Sequence, residues 1–83
     1  MRLPRDLSGE DLARKLAVFG YRITRQTGSH LRLTTSERGE HHITIPRHSP
    51  LRIGTLAGIL ADVARHFEVS RVAIEERVFG SGR

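Results

Sequence analysis

Short runs in which every second residue is apolar (Leu31 and Leu33, then Ile43 and Ile45) lie between two stretches whose apolar residues recur with a helical period. That change of period constrains the fold more than any other feature of the chain. A two-residue repeat turns one face of a strand toward a core, and a 3.6-residue repeat does the same for one stripe of a helix. The predicted order is helix, three short strands, helix, and a short terminal helix.

The ends of these elements are marked by their own chemistry. Ser8 is a natural N-cap, Asp11 stands where the acid of a capping box belongs, and Leu7 and Leu12 bracket the turn as a hydrophobic staple. Leu12, Leu16 and Phe19 supply the first stripe, and Gly20 supplies a left-handed exit. Strands are expected over 21–27, 30–35 and 41–45. The first ends at Gly28, Gly39 offers positive φ in the second turn, and Pro46 closes the third strand. Leu56, Ile59, Leu60, Val63 and Phe67 give the clearest helical repeat, with Gly54 or Thr55 as its cap. Val69 and Ser70 repeat the staple and cap, with Ile74 as the apolar mate, which predicts a helix over 70–79. One domain over 1–83 is expected, with its core at about 6–79 and a frayed tail at 80–83.

The sheet should have two unlike faces. Ile23, Leu31, Leu33, Ile43 and Ile45 are expected against the helices. Arg22, Thr24, Gln26, His30, Arg32, Thr34, His42 and Thr44 alternate with them and carry no acid. The chain's net charge of +5 is concentrated here: residues 20–54 hold six arginines against two glutamates, a balance of +4 that leaves +1 for the rest. Such a surface suits a polyanion or an acidic protein. With 83 residues the core is thin and a deep cleft is not expected. There is no cysteine, so disulfides, zinc ribbons and thiol nucleophiles are excluded together. The apolar run Leu16-Ala17-Val18-Phe19 is far too short for a signal peptide or membrane span, and a cytoplasmic protein is the expectation.

Phosphate-loop, dinucleotide-binding and hydrolase-nucleophile motifs are absent, and no cofactor is implied. No metal site is expected either: His41 and His42 point to opposite faces of a strand, and no carboxylate is spaced to complete a ligand set. What remains is imidazole and guanidinium chemistry. His30 follows Gly28-Ser29 at the first turn, where Gly28 would ease the bend and Ser29 could meet a phosphate. His42 is a second candidate proton-transfer group if the third strand pairs beside the second, and His48 lies in the following loop. Arg22, Arg25 and Arg32 on the strands and Arg47 and Arg52 around the next helix are candidate phosphate contacts. Taken alone, a strand histidine is more often an ordinary surface residue. A non-catalytic RNA-binding module or a protein-interaction module would use the same scaffold.

The chain resembles the HicA (YcfA-like) toxins of HicAB toxin–antitoxin systems. The resemblance is carried by Leu12 and Leu16 before Gly20-Tyr21, by the run from Arg25 to His30, and by His42-Ile43-Thr44-Ile45-Pro46. Gly54-Thr55-Leu56, Ile59-Leu60 and the Ser70-led end continue it. It implies an α+β fold of the αβββα type seen in double-stranded-RNA-binding domains, with a three-stranded antiparallel sheet on two helices and a short extra C-terminal helix. It further implies a metal-independent endoribonuclease that cleaves mRNA with His30 and inhibits translation. Its partner would be a HicB-type antitoxin, with oligomers arising through that complex or by weak self-association.

Overall fold

The computed structural model describes residues 3–80. Its elements are α1 (Gly9–Lys15), a 3₁₀ turn (Leu16–Phe19), β1 (Arg22–Gln26), β2 (His30–Thr35), β3 (His41–Pro46), α2 (Ile53–Phe67) and α3 (Arg71–Glu75), followed by a π-helical turn (Glu76–Gly80). The strands form one antiparallel sheet in the order β1-β2-β3, and α1 and α2 pack on one side of it, giving the αβββα arrangement with a short terminal helix.

The start of α1 is built as its residues dictate. Ser8 accepts a bond from the Asp11 amide at 3.0 Å and the Asp11 carboxylate returns one from the Ser8 amide, closing the capping box. The Ser8 hydroxyl, and then the Ser8 amide, hold the Asp11 carboxyl below the usual carboxylate range. Gly20 then leaves the 3₁₀ turn at φ 84°, a conformation that favours glycine. Gly9 has a different reason to be glycine: a Cβ there would run into the Pro46 carbonyl, so α1 reaches the end of β3 only without a side chain.

Leu31, Leu33, Ile43 and Ile45 from the sheet meet Leu12, Leu16, Leu56, Leu60 and Val63 from the helices, all nearly inaccessible to water. Ile23 does not join them. It lies opposite Leu33, on the helix side, but neither helix extends over β1, so it stays 47% exposed. The register also slips between Ile23 and Arg25, a β-bulge that places Arg25 opposite Arg32 and Gln26 opposite Leu31. Arg25 therefore joins the open face, and Gln26, expected there, moves to the helix side.

Two ends also differ from expectation. Helix α2 starts at Ile53 after Arg52, without a side-chain cap; Gly54 and Thr55 already lie inside it. Ser70 does cap α3 through the Ala73 amide, but Val69 remains exposed, so no staple closes, and the helix gives way to the π-helical turn after Glu75. The expected frayed tail, beyond Gly80, lies outside the described residues.

Candidate active site

The β1–β2 connection is a two-residue turn, Gly28-Ser29, closed by a bond from the Thr27 amide to the His30 carbonyl at 2.9 Å. Thr27 braces it from the side: its Oγ1 accepts from the amides of Ser29 at 3.2 Å and His30 at 3.1 Å. Gly28 has no positive φ, and a Cβ on it would meet nothing within 4 Å. The bend does not require glycine, and no neighbour fills the space a side chain would take.

His30 stands on the open face and is exposed. Its Nδ1 lies 2.9 Å from Ser29 Oγ. A hydroxyl can donate to a bare Nδ1 or accept from a protonated one, so Ser29 supports either neutral tautomer, and Nε2 has no hydrogen-bond partner among the described residues. Arg47 ties this turn to the rest of the fold. Its amide donates to the Ser29 carbonyl at 2.8 Å, its Nη1 donates to the Thr27 carbonyl at 2.7 Å, and its Nε and Nη2 both reach Glu10 of α1. The guanidinium is thus a clamp from helix to turn rather than a free phosphate contact.

The remaining cations of the open face have no such engagement. Among the described residues, neither Arg22, Arg25 nor Arg32 pairs with a carboxylate. Arg52 is likewise exposed and unpaired among the described residues, at the start of α2.

Compared with known families, residues 9–64 match the one described as HicA toxin of bacterial toxin–antitoxin systems. The chain belongs to the HicA toxin family. The matched span runs from the first residue of α1 into the last turns of α2 and includes the whole turn at His30. An antitoxin partner goes with that family. No curated protein and no solved structure matches this HicA chain.

The other histidines of this HicA protein fall into two groups. His42 shares the open face with His30, but it lies opposite Thr34, four residues along β2 from His30. At about 3.4 Å per residue the separation is about 14 Å, too far for the two to serve one bond. His42 instead ends a chain of hydrogen bonds across the sheet: Thr24 Oγ1 to Thr34 Oγ1 at 2.9 Å, Thr34 to His42 Nδ1 at 2.8 Å, and His42 Nε2 to Glu40 at 2.9 Å. His48 is exposed just past the Arg47 clamp, and its carbonyl accepts from the Gly9 amide.

His41 and His66 lie on the other side. Their rings stack at 4.4 Å, and His66 Nε2 donates to the Glu37 carbonyl at 2.8 Å. His41 Nδ1 pairs with the Tyr21 hydroxyl at 2.7 Å, and its Nε2 faces Asp62 at 3.4 Å. Burial, with the nearby Asp62 charge, pushes the Tyr21 phenol well above its ordinary range. This group fastens the β2–β3 hairpin to α2. The sequence places His41 on the opposite face of its strand from His42 and His66 on the last turn of α2, and the contact between them forms only when β3 and α2 pack.

Two residues of the site, Thr27 and Glu10, and the bulge in β1 were not singled out from the sequence. Thr27 had a weak signal, as a hydroxyl two positions before a turn serine. Glu10 had none, since its partner Arg47 is 37 residues away. The bulge that recruits Arg25 also had none, because a slip of register depends on both strands.

Proposed function

We propose that this HicA protein is a metal-independent endoribonuclease that cleaves mRNA, with His30 as its catalytic residue, and that a HicB-type antitoxin covers this site. The observation that supports the reading best is an exposed His30 whose Nδ1 is held by Ser29, at a turn where Gly28 carries no side chain, in a chain of this family.

The chemistry is internal transesterification. Neutral His30 takes the proton from a ribose 2′-hydroxyl through Nε2, and the oxygen attacks the adjacent phosphorus. The phosphorus–5′-oxygen bond breaks, and the imidazolium returns the proton to that leaving oxygen. The RNA is left with a 2′,3′-cyclic phosphate on one fragment and a 5′-hydroxyl on the other. Ser29 Oγ accepts from Nδ1–H throughout, because base action at Nε2 requires the Nδ1-protonated ring and the imidazolium keeps that proton. Arg22, Arg25, Arg32 and Arg52 contribute positive charge for the RNA backbone, and Arg47 holds the turn that carries His30. With one positioned proton-transfer group contributing about 10²–10⁴ in rate, the enzyme is slow. Slow cleavage suffices to arrest translation in the cytoplasm, where mRNA is read.

The test is induction of the wild type and of His30→Ala without antitoxin, with growth and mRNA integrity followed in both, and with purified proteins incubated with RNA in EDTA. Arrest and cyclic-phosphate ends are expected from the wild type alone. Equal cleavage by both proteins, or equal harmlessness of two well-folded proteins, would refute the assignment and leave a binding module.

A further inference from the structure

The β-bulge in β1 sets two arginines directly opposite each other. Arg25 faces Arg32 across the β1–β2 pair, on the open side of the sheet. Like charges at that position repel and weaken the strand pair, and among the described residues no carboxylate bonds or pairs with either one. Without the slip, Arg25 would lie opposite Leu31, on the other face. The fold therefore spends a ladder irregularity and a repulsive pair on concentrating charge at one point. Bulges of this kind re-aim side chains beside functional sites.

The position of that point matters. Arg32 is two residues from His30 along β2, about 7 Å. Its other cross-strand neighbour is Thr44 of β3, and beyond it the face continues through Thr34 to His42. Apart from Pro46, opposite His30 at one end, every strand side chain on this face is a guanidinium, imidazole or hydroxyl. An extended nucleic-acid strand needs what is present: cations for phosphates, hydroxyls, and planar groups on which bases stack.

We infer that Arg25 and Arg32 form a phosphate subsite for single-stranded RNA, one step along the sheet from His30, and that the bulge in β1 exists to create it. The inference deepens the ribonuclease reading and rests on it for the orientation of the strand toward His30. In this arrangement His42 belongs to RNA binding at the far end of the track, not to bond cleavage. Its partner Glu40 occupies the imidazole when RNA is absent.

The experiment measures binding of a short single-stranded RNA of mixed sequence, and of the same sequence as a duplex, to full-length protein carrying His30→Ala. Arg25→Gln, Arg32→Gln and the double variant are compared in that background, with Arg65→Gln on α2 as a control away from the sheet. Each single change is expected to weaken single-strand binding and to lower the slope of log affinity against log salt by about 0.7. Melting temperatures should stay level or rise, because the repulsion is relieved; Arg65→Gln should leave binding unchanged. Binding that is indifferent to both arginines, while the wild type still cleaves RNA, overturns the subsite and spares the ribonuclease reading. Preference for the duplex, or equal binding of polyglutamate at matched ionic strength, overturns the single-strand assignment. Failure of the unsubstituted protein to bind or cleave RNA overturns both readings together.

Discussion

Replacing Arg47 separates two roles that one arginine beside the turn of the proposed ribonuclease can have. As a clamp it holds the turn against α1; as a phosphate contact it would be held back by Glu10. The guanidinium bonds to the Thr27 carbonyl at 2.7 Å and places two N–H groups on one oxygen of Glu10. The carbonyl bond contributes about 1 kcal/mol. The ion pair adds about 0.5 kcal/mol, because the Arg47 and Glu10 side chains keep 30% and 45% of their exposure and water screens them. Arg47→Gln should thus cost about 1.5 kcal/mol, which for a protein of this size lowers the melting temperature by about 6–12 °C. His30 loses its fixed position with the turn, so kcat for RNA cleavage should fall about ten- to hundredfold with KM little changed. Glu10→Gln decides between the roles. Under the clamp it lowers stability and kcat in the same direction, less steeply, and a double-mutant cycle of urea melts returns a coupling of about 0.5 kcal/mol. Under the alternative it frees Arg47, and RNA affinity rises while stability barely changes. Tighter RNA binding by Glu10→Gln with an undiminished kcat would sink the clamp.

Three further outcomes follow from the same geometry. Gly9→Ala should destabilise by about 1–3 kcal/mol, since its methyl group collides with the Pro46 carbonyl, whereas Gly28→Ala should stay within about 0.5 kcal/mol; paired thermal melts check both. His30→Ala should leave the melting temperature within about 2 °C of the wild type while cleavage disappears, because the ring is exposed and, among the described residues, bonds only to Ser29. Tyr21→Phe should cost about 1–2 kcal/mol through the lost bond to His41, measured by urea unfolding. Its pH dependence has a definite sign: the folded phenol titrates above the unfolded one, so wild-type stability is intact below about pH 10 and declines as pH rises past it. The chain has no other tyrosine and no tryptophan, so phenolate absorbance reports this one group, and the alkaline decline should be missing from Tyr21→Phe.

What the sequence disclosed and what it withheld divide along a physical line. The capping box at Ser8, the alternation in β2 and the stripe of α2 are local: each depends on residues within a turn or two, and each is found where the residues place it. His30 at the turn is also local, and its neighbours Gly28 and Ser29 lie in the same tripeptide. The features that were not legible join distant segments. Arg47 meets Glu10 across 37 residues, and the His41 and His66 rings meet only after β3 and α2 have packed. Strict alternation put Gln26 on the open face, where the slip removes it, and Ile23 on the helix side, where it does lie although neither helix reaches far enough to cover it. The failure at Gln26 is informative in itself. A regular β1 would have paired more residues and avoided the Arg25–Arg32 repulsion, so local preference alone gives no reason for the bulge. Departures of this kind are expected at functional sites, and this one lies two residues from His30 on the face where an RNA strand would have to lie.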